Sequence, residues 1–376
     1  MKSALIITSE YLGSANEIGS HQIAKQLAAK GIKTLVISFP MSPFYRLIQK
    51  RTDYNQRVFF TKKTIEVEKN LFVYIPKTVL PPLPFIVNKA PFYLNLWDKF
   101  SLSWQKVLPT NTFDFVFCES LFFPRLLQQV SYKKLVVRLP DNFSGFWKKN
   151  KTLLNAEKKL LQSADIIVTP SKLRAIELNK EHKQKRVLHL NNGVDTALYT
   201  NDYEKPSSYK KSQFNAVYVG AISAWFDMNM LFEIATLKPN WQFTIIGKSP
   251  QVSAPSNIRF IGEKRGNDKI PYLKYANVGI IPFNNQEHHA LINYVNPIKM
   301  YEYLAAGIPV ISTAWAELTL INAPIELAKD IDSFVAHLSK METSTTPKAP
   351  LIEFAEKFNW KTITQQLLTE IANEKY

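Results

Sequence analysis

Lys299 and Glu302 are the residues of this 376-residue chain best placed to do chemistry. They lie in Asn-Pro-Ile-Lys-Met-Tyr-Glu-Tyr-Leu-Ala-Ala-Gly-Ile-Pro-Val, residues 296–310. The run predicts a helix with both ends marked, followed by a buried strand. Asn296 suits the N-cap and Pro297 the first helical position. Gly307 suits the left-handed residue that ends a helix, and Pro309 prevents its continuation. On that helix Lys299 and Glu302 share one face near the start, where free N–H groups and the helix dipole attract anions. A lysine there suits a diphosphate. A glutamate one turn on can accept two hydrogen bonds from a ribose diol. The alternative allowed by spacing alone is a capped amphipathic helix with a surface ion pair.

A second group of candidates lies in the first half. Asp141, in Arg138-Leu139-Pro140-Asp141-Asn142, follows a strongly apolar run. A carboxylate there can take the proton of an attacking hydroxyl. Burial would raise its pKa and Arg138 would lower it. The alternative is an Asx turn or helix cap after a strand. Glu119, in Phe117-Cys118-Glu119-Ser120, is the rival at a neighbouring strand end, and Glu10 and His21 are weaker candidates for acceptor contacts.

Alternating strands and helices must position these groups. Apolar runs at 4–8, 34–39, 113–118, 135–139, 166–169 and 187–190 predict strands of a first domain, and 70–76 an extra strand nearer an edge. Runs at 216–220, 243–247, 258–262, 278–283 and 310–312 predict strands of a second. Such alternation implies parallel sheets covered by helices. The polar stretch 201–213 reads as a linker, giving domains 1–200 and 201–358, with a last helix in 359–376. The tract 342–350 reads as a surface loop. In open α/β sheets ligands bind beyond the strand C-termini. Gly220, Ile222, Gly247, Glu263 and Phe283 all follow predicted strands, and Ile298 opens the marked helix.

The net charge of +16 is uneven. Residues 1–200 hold 30 Lys+Arg and 14 Asp+Glu, whereas residues 201–376 hold 17 of each. The first half therefore expects a polyanionic partner. No zinc-finger, RRM or KH signature supports nucleic acid. Two stretches mix aromatic and apolar side chains with basic ones or prolines. One is 41–57, with Phe44, Tyr45, Tyr54, Arg46, Arg51 and Arg57; the other is 79–97. They predict a patch for an anionic membrane surface; the alternative is a solvated loop plus a core helix. No apolar run is long enough to span a bilayer. The N-terminus reads as a buried strand rather than a signal peptide. The single cysteine, Cys118, cannot form an internal disulfide and fits a reducing cytoplasm. No Cys/His cluster has metal-ligand spacing.

These pieces resemble the GT-B glycosyltransferases, in particular the inverting xanthan-type glucuronosyltransferases and the teichuronic-acid glycosyltransferases of bacterial envelope polysaccharide synthesis. The resemblance is carried by the Glu119-Ser120 strand end, Arg138-x-x-Asp141, Asn192-Gly193-Val194-Asp195, Gly262-Glu263 and Pro297-Ile298-Lys299. It departs at 221–227, which is longer than the family segment, and at Glu302, where that family can have Gln. The pair of glutamates eight apart found in retaining GT-B enzymes is absent, since Tyr294 stands where the first would be. The resemblance implies an α/β GT-B fold of two Rossmann-like domains with parallel sheets facing a central crevice. It implies a last helix that returns to the first domain. It also implies transfer of a sugar from a nucleotide-sugar, UDP-linked and carrying glucuronic acid or glucose, to a lipid-linked or polysaccharide acceptor. Asp141 would be the general base of an inverting reaction. The donor would be held by Gly220, Ile222, Glu263, Phe283, Ile298, Lys299 and Glu302, with no metal or other cofactor. The enzyme would sit on the cytoplasmic face of the membrane, without nucleic acid as partner. The alternatives are a retaining enzyme of the same fold, or a catalytically silent protein that binds a nucleotide-sugar or glycan.

Overall fold

A computed structural model describes residues 1–14, 17–45, 54–78, 112–121, 124–141, 150–209, 214–248 and 250–373. The chain forms two compact units. One comprises Met1–Pro170, Arg174–Leu190 and Thr364–Tyr376; the other comprises Ser171–Leu173 and Asn191–Ile363. These divisions differ from those read in the sequence at 200/201 and 358/359. Residues 192–194 pack inside the second unit: Val194 N–H donates to the Phe358 carbonyl at 3.0 Å, and Trp360 N–H to the Val194 carbonyl at 3.1 Å.

In the first unit the strands are β1 (Ser3–Ile7), β2 (Lys33–Ile37), β3 (Ile65–Glu68), β4 (Leu71–Tyr74), β5 (Thr112–Cys118), β6 (Ser131–Arg138), β7 (Ile166–Thr169) and β8 (Arg186–His189). They form one sheet in the order β3-β4-β2-β1-β5-β6-β7-β8, parallel except for the β3–β4 pair. Its central strands are apolar on both faces, as sheets covered by helices require. Leu5, Ile7, Val116, Cys118, Leu135 and Val137 belong to one buried cluster. Helices α1 (Gly19–Ala29), α2 (Tyr54–Phe59), α3 (Pro124–Gln129), α4 (Lys151–Ser163) and α5 (Lys172–Glu181) follow the strands. The strand order reverses direction at β1, where β1 pairs with both β2 and β5.

The second unit holds β9 (Phe214–Val219), β10 (Trp241–Ile246), β11 (Ile258–Phe260), β12 (Val278–Ile281), β13 (Val310–Thr313) and β14 (Glu326–Ala328). All are parallel, in the order β11-β10-β9-β12-β13-β14, so the reversal lies between β9 and β12. The helices are α6 (Met228–Leu237), α7 (Ile270–Lys274), α8 (Asn285–Ile292), α9 (Ile298–Ala305), α10 (Ala316–Ile321), α11 (Ile331–Thr343) and α12 (Lys348–Glu356). A final helix, α13 (Trp360–Ala372), ends the described chain. Helix α9 stops as its sequence demands. Gly307 takes φ +69°, Gly307 N–H donates to the Leu304 carbonyl and Ile308 N–H to the Tyr303 carbonyl. This is the Schellman pattern that glycine permits.

Some sequence expectations change. Residues 201–209 are mostly exposed, but the stretch is anchored at its end. Tyr209 is buried, meets the Tyr272 ring edge-on at 5.8 Å and donates to the Tyr272 carbonyl. The tract 342–350 is a loop only between α11 and α12. Its Pro350 falls in the first turn of α12, where no intrahelical N–H is needed. Among the described residues no helix is long and apolar enough to cross a membrane. The stretch 79–97 lies outside the described residues, as do 46–53 within 41–57. Of the remainder, Tyr45 and Arg57 are buried beside Tyr11, and the Arg57 guanidinium donates to the Phe39 carbonyl, so neither is available to a surface. Phe44 and Phe59 are 44% and 58% exposed.

Candidate functional site

In the second unit the site builds outward from the β9–β12 reversal. Beyond β9 the chain turns at Gly220, φ +140°, a conformation that L side chains rarely adopt. The Gly220 carbonyl presses against the next loop, and a Cβ on Gly247 would collide with it. Glycine at 220 also clears space on its other side, since a Cβ there would lie 3.1 Å from Lys299 Cε. Helix α9 thus delivers Lys299 against bare backbone.

The helix starts one residue later than its sequence suggests. Pro297 occupies the cap position. Asn296 instead donates its side-chain amide to Asn191 Oδ1 at 3.0 Å, and its carbonyl accepts from Asn192 Nδ2 at 2.8 Å. Lys299 is in the second helical position. Its ammonium lies 4.9 Å from the Tyr218 ring centroid and 4.8 Å from that of Phe283, which stacks on Trp315. Such cation–π contacts hold a cation without neutralising it. Among the described residues Lys299 has neither a hydrogen bond nor an ion pair. Burial pushes its ammonium down to about 8, against the upward pull of Glu302, while Lys269 lowers it further.

Glu302 faces the same region but is paired elsewhere. Lys269 Nζ, from the 3₁₀ turn Gly266–Lys269, donates to Glu302 Oε1 at 2.6 Å. Ile222 lies along Gly247. Gly262 accepts from Gly247 N–H at 3.1 Å, and the Glu263 that follows is exposed. Ile298 is half-buried at the start of α9. The structure therefore brings together Gly220, Phe283 and Lys299 of the expected donor set, with Glu302 one turn on, and leaves Glu263 as a solvated carboxylate. Lys269 was not among the sequence candidates, because it pairs with Glu302 across 33 positions and no local spacing marks it.

The first unit gathers a different cluster at the ends of β1, β5 and β6. Arg138 donates to Glu119 Oε2 at 2.8 Å, and each residue is only 4% exposed. Glu119 is thus half of a buried ion pair rather than a free base. His21 is buried with both ring nitrogens engaged. Ile18 N–H donates to Nδ1, which leaves the Nε2 proton for the Glu10 carbonyl at 3.0 Å. Burial lowers its pKa, and the ring ties the start of α1 to the Glu10 carbonyl. Glu10 contributes its carbonyl there, and its side chain points to solvent. Asp141 is half-buried beyond β6 and, among the described residues, makes neither a hydrogen bond nor an ion pair. Burial raises its carboxyl to about 6, with Arg138 opposing and Glu119 adding to the shift. A carboxylate with a pKa near the working pH is well matched to proton transfer. Cys118, fully buried, is pushed up to about 12 and is inert as a nucleophile. Among the described residues no group of three or more His, Cys, Asp or Glu is placed to hold a metal.

Known proteins resemble the chain along the same division. Residues 6–170 match the family described as the glucuronosyltransferase GumK N-terminal domain, and residues 213–342 match glycosyl transferases group 1. TuaH of Bacillus subtilis (strain 168), assigned by name to teichuronic acid biosynthesis as a glycosyltransferase, is 24% identical over 249 residues. The match covers 61% of this chain and 62% of that protein. Among solved structures, sucrose-phosphate synthase from Thermosynechococcus elongatus superposes with a TM-score of 0.73 at 14% identity, covering 98% of each chain. Anabaena Alr3699/HepE, crystallised with UDP and glucose, superposes at 0.64 and 12% identity, covering 99% of this chain and 100% of that one. The chain therefore has the GT-B fold, with a first part similar to the GumK N-terminal domain and a second part similar to the group 1 glycosyl transferases.

Proposed function

We propose that this chain is a glycosyltransferase that moves glucose or glucuronic acid from a UDP-linked donor to a lipid-linked or polysaccharide acceptor of the cell envelope, with inversion. One observation carries the reading. Lys299 is a half-buried cation that has no acidic partner among the described residues, at the start of a helix and against the Gly220 backbone. A charge so placed lacks an anion, and a diphosphate supplies one. In this reading Lys299 and the first N–H groups of α9 stabilise the diphosphate as it leaves, and no metal is given a role. Glu302 accepts from the ribose hydroxyls. Asp141 takes the proton of the acceptor hydroxyl as its oxygen bonds to the sugar's anomeric carbon and the bond from that carbon to the diphosphate oxygen breaks. The UDP and glucose bound by Alr3699/HepE support the choice of donor class.

Calorimetry with UDP, UDP-glucose and UDP-glucuronic acid tests the reading. Binding is expected, and Lys299→Met should weaken it. Unchanged nucleotide affinity in that variant would overturn the assignment. The charge excess in residues 1–200 supports a further part of the proposal, that the protein works on the anionic inner face of the membrane. Sedimentation with anionic vesicles should exceed that with neutral ones and fall steeply with salt; equal sedimentation would count against it.

A further inference from the structure

Lys299 and Glu302 carry opposite charges three apart on α9, the spacing at which helices pair such side chains. They are not paired here. Lys269 holds the Glu302 carboxylate at 2.6 Å, while Lys299 lies over the Tyr218 and Phe283 rings. Among the described residues, the ionisable groups facing Glu302 are Lys269 on the 3₁₀ turn, Lys299 on its own helix, and Tyr199 and Tyr303. Lys269 is engaged with one oxygen of the carboxylate, and an ionised carboxylate can accept about four hydrogen bonds.

We propose that Lys269 is a positioning residue for the nucleoside diphosphate: by holding Glu302 it prevents that carboxylate from capturing Lys299, which stays free for the phosphates, and it fixes Glu302 for the ribose hydroxyls. The inference rests on the donor-site reading above. Its logic is one of competition. Without Lys269, Glu302 would be a half-buried charge without compensation, which is costly. The nearest alternative cation is Lys299, one turn away on the same helix. Once taken, Lys299 would no longer serve a ligand. The loss would then appear at the phosphates, away from the substituted side chain. An ion pair that merely ties the turn to α9 makes a different forecast: lower stability, with no change in which part of the ligand is recognised.

Affinities of the full chain for UDP, 2′-deoxy-UDP and uridine decide between these, with uridine measured by displacement. In Lys269→Met the preference for UDP over uridine should fall about tenfold or more, the scale of one charge-assisted hydrogen bond. Discrimination against 2′-deoxy-UDP should fall with it. In the double variant Lys269→Met with Glu302→Gln, the neutral amide no longer captures Lys299. The UDP-over-uridine preference should recover there, while 2′-hydroxyl discrimination stays lost. Lys269→Arg should preserve both. Lys269→Gln carries the same expectation as Lys269→Met and serves if the methionine variant does not fold. A preserved UDP-over-uridine preference in Lys269→Met or Lys269→Gln, or no recovery in the double variant, overturns the proposal. If Lys299→Met leaves UDP affinity unchanged in an otherwise native chain, it is the donor-site reading that fails.

Discussion

Among the described residues, each unit sets an ion pair beside one further charge that makes no ion pair, near the end of its sheet. In the first unit Arg138 and Glu119 neutralise each other and Asp141 is left, an acid raised to about 6. In the second, Lys269 and Glu302 pair and Lys299 is left, a base lowered to about 8. Both leftover groups are shifted toward neutral pH by burial. The sign differs, and with it the chemistry: one can accept a proton, the other can hold an anion. A pair beside a lone charge tunes the lone group while adding no net charge of its own, so each site presents one functional charge.

The largest expected effect breaks the first triplet at its lone member. Asp141→Asn should cut turnover by roughly 10²–10⁴-fold, the contribution of a positioned proton acceptor, with donor affinity unchanged by calorimetry. The wild-type rate should rise with pH through about 6, as Asp141 becomes the free base. The stability sign runs the other way. Between the ordinary carboxylate range and about 6 the folded chain holds this proton and the unfolded chain does not, so stability falls as pH rises. Asp141→Asn should therefore melt higher than wild type at pH 7. Near wild-type turnover in this variant would refute the base assignment, and a selective loss of turnover in Glu119→Gln would move the role there.

Breaking the pair instead of the lone group should act on stability. Glu119→Gln removes one side of the buried Arg138–Glu119 ion pair and should cost about 3–5 kcal/mol in denaturant unfolding, the scale of breaking such a pair. It also removes an influence that raises Asp141, so the acid limb of the rate profile should move to lower pH.

In the second unit, Lys299→Met should weaken UDP binding by about 1.5–3 kcal/mol. Wild-type affinity should decline as pH rises through about 8, where the free ammonium loses its proton. In Lys299→Arg that decline should vanish, because guanidinium does not titrate there. The smallest effect sharpens the contrast through backbone alone. Gly247→Ala meets the Gly220 carbonyl and should cost about 1–3 kcal/mol in stability, like other overpacking changes.

What could be read from the sequence divides along the same line. The second site was legible because its signals are local: Lys299 and Glu302 share one turn, and Gly307 and Pro309 mark where that turn ends. The start was misjudged by one residue because Asn296 bonds to Asn191 and leaves the cap position to Pro297. Lys269 was invisible, since its partner lies 33 positions on, beyond two helices and a strand. In the first unit, three strand-end carboxylates looked alike in sequence. Only their surroundings separate them: Glu119 lies in a buried ion pair, Glu10 is exposed and Asp141 is half-buried with its pKa raised. The main strands were legible as apolar runs. Strand β3 was not, because its residues 65–68 alternate with glutamates at an exposed sheet edge, and β14 has only three residues.

The discontinuity of the first unit sets synthesis and folding in opposite orders. Leu367 and Ile371 of α13 are buried, Lys134 donates to the Ile371 carbonyl, and Arg186 pairs with Glu370, so the last described helix completes the unit that the first strand begins. A ribosome delivers those residues after all eight strands of that sheet and after residues 191–363 of the other unit. The domain made first must wait for its closing element, with long-range contacts that slow folding, while the domain made second can already be whole. A fragment cut near residue 200 would carry all eight strands of the first sheet and still lack the helix that Lys134 and Arg186 hold.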